Sequence, residues 1–505
     1  MHAADIHRSS RYGHGASRAL CLALAALWTT GCYPVNPPLQ RWDPAAGYRY
    51  ENLSVTDPAK NGDDTFVVLT FSGGGTRAAA FAYGVMEGLR DTPVGNRTLL
   101  DEVDVISSVS GGSFTAAYYG LFGAPAFFRD FPDAVLYRKL EWGLGLRVLA
   151  PWNWPKLLSP AYGRTDLADA YYDSAIFQGR RFADLPQRRP FIILNATDIA
   201  RGAQFSFTQE HFDRLCSDLS GVHVSRGVAA SSAFPVAFTP LTLKNYGKAA
   251  CGYQAPPWVE LAEQGDFSAN PQRYDLAKTW RSYEDATQRH FIHLSDGGLA
   301  DNIGLRAVET AITSSGSIPL FDLANNGAVR RVVMIVVDAK PHSDSCIDRC
   351  ARPPGIFTVL NAAGTNPMEN YSSDTVERVR QWFKEWDRAA KDFEVRRSGC
   401  VDLAAELCRP ARRPSTCIAR ERDRCFAAAH AGDDFRPPHP KLYEIHVRFE
   451  AIPDAAAKQT LQGISTRLQL PKDQVDLLID WGRRLLTGSP TYQTLVTDLR
   501  GATPP

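Results

Sequence analysis

The chain has 505 residues, of which 44% are hydrophobic and 22% are charged, a composition typical of globular proteins. Its length allows either several domains or one large α/β unit with insertions. The formal net charge of +1 gives no electrostatic basis for binding nucleic acid, so DNA and RNA are excluded as expected partners.

The N-terminal segment is typical of an exported protein. Three arginines within the first 18 residues precede the uncharged apolar run 19–28. As a helix, this run would span about 15 Å, half of a roughly 30 Å hydrocarbon core. The pattern therefore predicts a signal peptide over residues 1–31 and not a membrane-spanning helix.

The small residues before Cys32 resemble a bacterial lipobox, which predicts that Cys32 carries a lipid. The alternative is cleavage by an ordinary signal peptidase, which would leave Cys32 as a thiol. With lipidation, residues 32–62 would form a tether. The expected location is then the bacterial cell envelope, with the protein lipid-anchored to a membrane that faces the periplasm, the outer membrane being favoured.

The cysteines fit export to an oxidising compartment. Of the ten, Cys21 would leave with the signal peptide and Cys32 would carry the lipid. The others are Cys216, Cys251, Cys346, Cys350, Cys400, Cys408, Cys417 and Cys425. An even number suggests disulfides. The last four form two equally spaced pairs with prolines between them, so two short antiparallel helices would join Cys400 to Cys425 and Cys408 to Cys417. Their spacing is too long for the usual zinc motifs, and no metal site is predicted.

A glycine-rich loop follows the first predicted strand. Residues 65–71 suit a buried strand, and residues 78–90 suit a helix. The intervening Ser-Gly-Gly-Gly-Thr-Arg sequence brings free backbone amides to the start of a helix, where they bind an anion. That anion is either a phosphate or a transient oxyanion, because Gly73, Gly75 and Ala78 also fit a loose dinucleotide-binding pattern.

The next predicted strand, 103–109, favours the oxyanion. A dinucleotide fold would have an acidic residue at the end of this strand to hold a ribose, but the residue there is Ser110. Ser110 lies at a strand-to-helix joint, with small residues, Ser108 and Gly112, two positions to either side. This is close to the nucleophile-elbow pattern G-x-S-x-G. The alternative is an ordinary serine- and glycine-rich loop.

A third signal is an aspartate at the end of predicted strand 291–295. Asp296 is followed by two glycines, and in α/β folds such a position at a strand's carboxyl end carries chemistry. The alternative is an ordinary Asp-Gly turn. Further predicted strands at 191–194 and 331–337 imply an α/β fold with a mostly parallel sheet covered by helices on both faces. Asp198, after the first of these, is a second candidate carboxylate.

These three motifs together resemble the patatin-like phospholipase family, whose serine and aspartate act as a dyad without histidine. The resemblance covers about residues 65–338 and includes the segments 195–198 and 230–235. Ser108 and Ala78 stand where the family has glycines. The resemblance implies a three-layer catalytic core over residues 63–345. A helical, cysteine-rich insertion over 346–435 and a C-terminal strand and helices over 436–505, packed on the core, would complete the chain.

The expected activity is hydrolysis of lipid acyl esters, of phospholipase A or lysophospholipase type, with no cofactor and no metal. Ser110 would be the nucleophile and Asp296 its base, while the amides of Gly73, Gly74 and Gly75 would hold the oxyanion. Arg77 would orient the loop or attract a phosphate head group, and the alternative is a salt bridge to a structural carboxylate.

Three other functions use the same residues or their neighbours. A Ser-Asp-His triad would add a later histidine, with His342 the best placed, just beyond the strand that ends at Asp338. A non-catalytic lipoprotein would use the cleft to bind lipid or a partner. An acyltransferase would pass the acyl group to another lipid.

The region 118–158 is rich in aromatic side chains and has two interpretations. As a lid or surface patch it would meet acyl chains or a bilayer, since tryptophan favours the membrane interface. As core it would simply fill the interior, and this is the favoured interpretation for most of its rings. The rings are Phe122, Phe127, Phe128, Phe131, Trp142, Trp152 and Trp154.

Overall fold

The computed structural model describes residues 35–55, 61–235, 237–265, 271–314, 329–341, 351, 353, 355–411, 413–429 and 440–501. The predicted signal peptide, Cys32, His342, Cys346 and Cys350 lie outside these residues. The assignments made to them from the sequence therefore stay predictions.

Ten strands run through the described residues. They are β1 Thr65–Phe71, β2 Pro93–Val94, β3 Arg97–Thr98, β4 Val103–Val109, β5 Phe191–Asp198, β6 Ala203–Ser206, β7 Leu241–Lys244, β8 Phe291–Asp296, β9 Arg331–Asp338 and β10 Lys441–Arg448.

Sixteen α-helices are described in the same residues. They are α1 Gly75–Arg90, α2 Gly111–Phe131, α3 Leu140–Leu149, α4 Trp154–Leu157, α5 Arg164–Tyr172, α6 Gln209–Arg214, α7 Val224–Ser231, α8 Pro257–Gln264, α9 Pro271–Glu284, α10 Gly298–Asp301, α11 Leu305–Ser314, α12 Ile356–Leu407, α13 Pro414–Ala429, α14 Ala455–Gln462, α15 Lys472–Thr487 and α16 Pro490–Gly501.

Eight of the strands form one mixed sheet, in the order β10-β9-β1-β4-β5-β8-β7, with β6 paired to β5. The five strands from β10 to β5 are parallel. Every residue of β1, β4 and β5 is buried, because helices cover both faces of a parallel sheet. The predicted fold class, a mostly parallel sheet flanked by helices, is confirmed.

The direction of β8 differs from the expectation that Asp296 lies at the carboxyl end of a parallel strand. β8 runs antiparallel to β5, and Asp296 pairs with Ala196. Asn195 on β5 pairs with Val109, the last residue of β4, and β5 continues for three more residues. β8 can therefore start beyond the end of β4 and run back to the level of that end. Asp296 thus reaches the level of Ser110 from the opposite direction.

The C-terminal helices pack against the core. α15 lies on α1 at very short range, since a Cβ atom at Gly84 would be 2.0 Å from the carbonyl oxygen of Ile479. A Cβ atom at Gly482 would likewise be 2.4 Å from the carbonyl oxygen of Phe81. Glycine at both positions lets the two backbones touch.

The predicted disulfides of the cysteine-rich segment are confirmed. Cys400 is bonded to Cys425 and Cys408 to Cys417, and these bonds join the end of α12 to α13. A further disulfide, between Cys216 and Cys251, was not predicted. In the described part of the chain, no helix has both the length and the apolar character needed to span a bilayer.

The aromatic region divides into two parts. Phe127 and Phe131 are fully buried, and Phe122 and Phe128 pack against the core, as favoured from the sequence. Trp142, Trp152 and Trp154 are exposed, so the core interpretation is wrong for the three tryptophans.

A buried ion pair connects β4 to the loop before β5. The Arg189 guanidinium lies 2.9 Å from Asp104, and both side chains are almost fully buried. Burial raises the pKa of Asp104 to about 7, while Arg189 opposes the rise. Replacing Arg189 with methionine should lower the free energy of unfolding by about 3–5 kcal/mol, because it leaves a buried carboxylate without its partner.

Urea denaturation would measure this loss, with Arg180→Met as the control. Arg180 pairs with Asp184 at 3.6 Å on the surface. Its loss should change the free energy of unfolding by about 1 kcal/mol or less. Equal effects of the two substitutions would contradict the prediction.

Candidate active site

Ser110 lies in a sharp turn between β4 and α2. Its backbone angles, φ 50° and ψ −117°, are uncommon for a residue with a side chain and are of the strained kind found at functional sites. The turn fits only because its neighbours are small. A Cβ atom at Gly111 would be 2.0 Å from the carbonyl oxygen of Gly75, and one at Gly112 would be 2.6 Å from the Cβ of Phe71. This is the geometry of a nucleophile elbow.

The two positions where the family has glycine are accommodated. Ser108 is fully buried, and its hydroxyl donates to the carbonyl of Ile193 at 3.1 Å and accepts from Ser113 at 3.2 Å. Ala78 is also buried, in the first turn of α1.

Asp296 lies next to Ser110. The Ser110 hydroxyl is close enough to the Asp296 carboxyl group to lower its pKa, and the amide of Gly298 donates to Oδ1 of Asp296 at 2.8 Å. Burial, the larger effect, raises the pKa of Asp296 to about 6. Neither of the two groups that oppose the rise is a histidine. A carboxyl group with this pKa is mostly ionised at neutral pH and is more basic than an aspartate in water.

The glycine-rich loop connects β1 to α1 and lies against the elbow. A Cβ atom at Gly73 would be 3.3 Å from the Cβ of Ser110. The Gly73 amide is occupied, since it donates to the carbonyl of Asn302 at 2.8 Å. Gly74 and Gly75 have φ of 139° and 61°, and their amides make no backbone hydrogen bond to another described residue. Of the three amides predicted to hold an oxyanion, those of Gly74 and Gly75 thus have no backbone acceptor among the described residues.

Arg77 anchors the glycine-rich loop to two carbonyl groups that are distant in sequence. Its Nε donates to the carbonyl of Ala339 at 2.9 Å and its Nη1 to the carbonyl of Ile464 at 2.6 Å. With 1% of its surface exposed, Arg77 does not face a phosphate head group. The predicted role in orienting the loop fits these contacts, and the predicted head-group contact does not.

The other candidate carboxylate, Asp198, belongs to the scaffold. It is fully buried, pairs with Arg289 and accepts a hydrogen bond from the Tyr283 hydroxyl at 2.9 Å. These partners hold the end of β5 against α9. Asp198 therefore does not share the surroundings of Ser110 and Asp296.

Ser231, at the end of α7, connects the elbow to the Asp296 turn, and in the sequence it had no assigned role beyond lying in the family-like segment 230–235. Its hydroxyl accepts from the Ser110 amide at 2.8 Å and donates to the carbonyl of Asn195 at 2.6 Å. Its own carbonyl accepts from the Gly297 amide at 3.1 Å. The serine pair before Pro235 was the available signal, but nothing local distinguishes it from small residues that allow close packing.

Replacing Ser231 with alanine should lower kcat by about 10- to 100-fold and leave KM within about twofold, because the nucleophile loses a bond that fixes its strained backbone. Steady-state assays on an acyl ester would measure both constants. The control is Ser232→Ala, since the Ser232 hydroxyl bonds to Val228 in its own helix. Similar kcat values for the two variants would show that Ser231 does not position Ser110.

The part of the chain that contains this candidate site matches a known protein family. Residues 69–308 match the family model described as "Patatin-like phospholipase", and this range includes Ser110, Asp296 and the glycine-rich loop. This match covers 240 of the 505 residues and agrees with the family that the sequence motifs resemble.

Comparison with solved structures includes one described as human GIVD cytosolic phospholipase A2. The two chains are 12% identical with a TM-score of 0.39, and the match covers 89% of this chain and 62% of that one. A search of curated proteins gives no match.

Proposed function

We propose that this protein hydrolyses acyl esters of phospholipids or lysophospholipids through an acyl intermediate on Ser110. One observation carries the proposal: a buried aspartate, Asp296, lies beside a serine at a strained strand-to-helix turn, with its pKa raised by burial and influenced by that serine. A serine hydroxyl is a weak nucleophile until a base takes its proton, and Asp296 is positioned for that transfer.

In the first half of the reaction, the Ser110 oxygen attacks the ester carbonyl carbon while Asp296 accepts the hydroxyl proton. The carbonyl oxygen becomes an oxyanion, which the amides of Gly74 and Gly75 stabilise by hydrogen bonds. The intermediate then collapses, the ester bond to the lipid alcohol breaks, and Asp296 returns its proton to the departing alkoxide. This leaves the acyl group on Ser110.

In the second half, a water molecule gives its proton to Asp296 and attacks the acyl carbon. The bond to Ser110 breaks, the serine oxygen takes back a proton, and the fatty acid leaves. If the alcohol of another lipid replaces the water, the same residues carry out acyl transfer.

We further propose that a lipid on Cys32 holds this domain at a membrane of the cell envelope. The proposal comes from the small residues before Cys32 and the preceding apolar run. Mass measurement of the exported protein would test it, since lipidation adds the mass of a diacylglyceryl group to Cys32.

The activity would be tested by incubating the protein with mixed phospholipids and identifying the products by mass. Hydrolysis gives free fatty acid and lysolipid in equal amounts, whereas transfer gives a new acylated lipid. In parallel, a fluorophosphonate probe should label the peptide that contains Ser110. A protein that neither forms products nor takes up the probe would be the non-catalytic lipid-binding alternative.

A further inference from the structure

Residues 140–158, which we name the tryptophan flap, contain α3, the turn Pro151–Asn153 and α4. Six large apolar side chains on this segment have between 51% and 78% of their surface exposed. They are Trp142, Leu146, Leu149, Trp152, Trp154 and Leu158. No segment of similar length in the described residues exposes as many. Because large exposed apolar surfaces on proteins commonly mark interaction sites, the flap is a candidate contact surface for an apolar partner.

The flap is anchored to the rest of the domain by contacts of its buried side chains, so its exposed side chains are not the result of a loose loop. Its first residue, Leu140, is buried, and the Arg147 guanidinium lies 3.9 Å from the ring centre of Tyr171. Within the flap, Trp154 Nε1 donates to the carbonyl of Val148 at 3.1 Å and Asn153 Nδ2 to that of Arg147 at 2.8 Å. These bonds fix the turn between the two helices and hold the flap in one shape.

The charges in and beside the flap point to anionic lipid. Residues 138–158 contain four basic side chains and one acidic side chain, although the whole chain has a net charge of only +1. The acidic one, Glu141, accepts a hydrogen bond from the amide of Leu468 at 2.9 Å. Lys139 and Lys156 are exposed. Tryptophan at the apolar boundary with lysine at the phosphate level is the pattern of an interfacial membrane-binding segment.

The flap also connects to the candidate active site through a short path. Thr165, shortly after the flap, hydrogen-bonds to Thr239 through its hydroxyl group and its amide. Thr239 follows the turn in which the carbonyl of Ala233 accepts from the Asp296 amide at 3.0 Å. The segment that follows the flap is therefore hydrogen-bonded to the segment that holds Asp296.

We propose that the tryptophan flap docks the protein on bilayers that contain anionic phospholipid. Trp142, Leu149 and Trp152 insert among the lipids, and Lys139 and Lys156 contact phosphate groups. The benefit to catalysis depends on the proposed function, but the docking itself does not. It acts in addition to any lipid on Cys32, by setting which face of the domain meets the membrane.

The test is binding to vesicles, measured by co-sedimentation, with full-length protein in which Cys32→Ser removes the lipid and Ser110→Ala removes turnover. The vesicles are either pure phosphatidylcholine or phosphatidylcholine mixed with phosphatidylglycerol. We expect binding to the mixed vesicles to fall about tenfold or more in the double variant Trp142→Gln and Trp152→Gln. Changing Lys139 and Lys156 to glutamine should remove the preference for phosphatidylglycerol.

The matched control changes Leu261 and Val395, two exposed apolar side chains outside the flap, to glutamine. This control should bind as the parent protein does. Equal binding by the tryptophan variant and the control would overturn the proposal. It would also be overturned if the protein formed a dimer without lipid that the tryptophan variant dissociates, because the flap would then bind a second copy.

A soluble short-chain ester separates this proposal from the proposed function. With Ser110 intact, the tryptophan variant should hydrolyse that ester at the parent rate while losing activity on mixed vesicles. If no ester is hydrolysed by any form, the proposed function fails, and the sedimentation results still decide whether the flap binds lipid.

Discussion

Replacing Ser110 with alanine is expected to lower the hydrolysis rate by about 10⁴-fold or more and to remove labelling by a fluorophosphonate probe. The substitution deletes one oxygen atom, and this oxygen is the group that would form the acyl intermediate. Vesicle binding should be unchanged, because the tryptophan flap does not include Ser110. Product release from phospholipid, measured by mass, gives the rate.

His342→Ala is the matched test of mechanism. If Asp296 alone activates Ser110, this variant keeps activity within about twofold of the parent. A loss as large as that of Ser110→Ala would instead establish a triad, with Asp296 orienting a histidine. Retained labelling in Ser110→Ala would contradict the assignment of the nucleophile.

Replacing Asp296 with asparagine should lower kcat by about 10³- to 10⁴-fold, because an amide cannot accept the serine proton. The variant keeps the shape of the side chain and a carbonyl oxygen for the Gly298 amide, so the turn should remain folded. An activity within tenfold of the parent would show that another group is the base.

The parent enzyme should have a characteristic pH dependence. The base works only when ionised, so kcat/KM should rise with pH through an apparent pKa of about 6 and level off above it. The Asp296→Asn variant should lack this step. A rate that levels off near pH 4 would mean that Asp296 is not desolvated in the working enzyme.

The raised pKa of Asp296 also affects the stability of the fold: ionisation of Asp296, which activates the base, destabilises the folded protein. The pKa of Asp296 is raised from 3.8 to about 6 in the folded protein, so folding favours its protonated form. That contribution is fully present below pH 3.8 and is lost as the pH rises through about 6. Ionised Asp296 at neutral pH therefore costs up to about 3 kcal/mol of stability. At pH 7 the Asp296→Asn variant should unfold at an equal or higher denaturant concentration.

Local sequence patterns predicted the positions of the strands well. Seven consecutive residues of β4, and the same number in β1, are buried, and such runs are visible in sequence as apolar and β-branched stretches. The direction of β8 could not be predicted, because strand direction depends on the connections between strands and not on the residues of the strand itself. The short strands β6 and β7 were missed for a related reason: four residues are too few to show a period.

The candidate site was predicted only in part. Ser110 and Asp296 each follow a strand and stand beside glycines, so both leave a local signal. Ser231 leaves none, since its role depends on hydrogen bonds to residues more than 30 positions away. The occupied amide of Gly73 also depends on a distant partner, Asn302. Such long-range contacts exist only after folding and are not encoded in a motif.

The contacts that hold the glycine-rich loop in place have a practical consequence for making fragments of this protein. The loop is held by the carbonyls of Ile464 and Arg467, and a Cβ atom at Gly75 would be 2.2 Å from the latter. Both residues lie more than 150 positions beyond residue 308, where the family match ends. A polypeptide cut at that point would retain Ser110 and Asp296 but leave two loop donors, Arg77 and Thr76, without their acceptors. We therefore expect a polypeptide that keeps the loop in place to be much longer than the stretch matched by the family model.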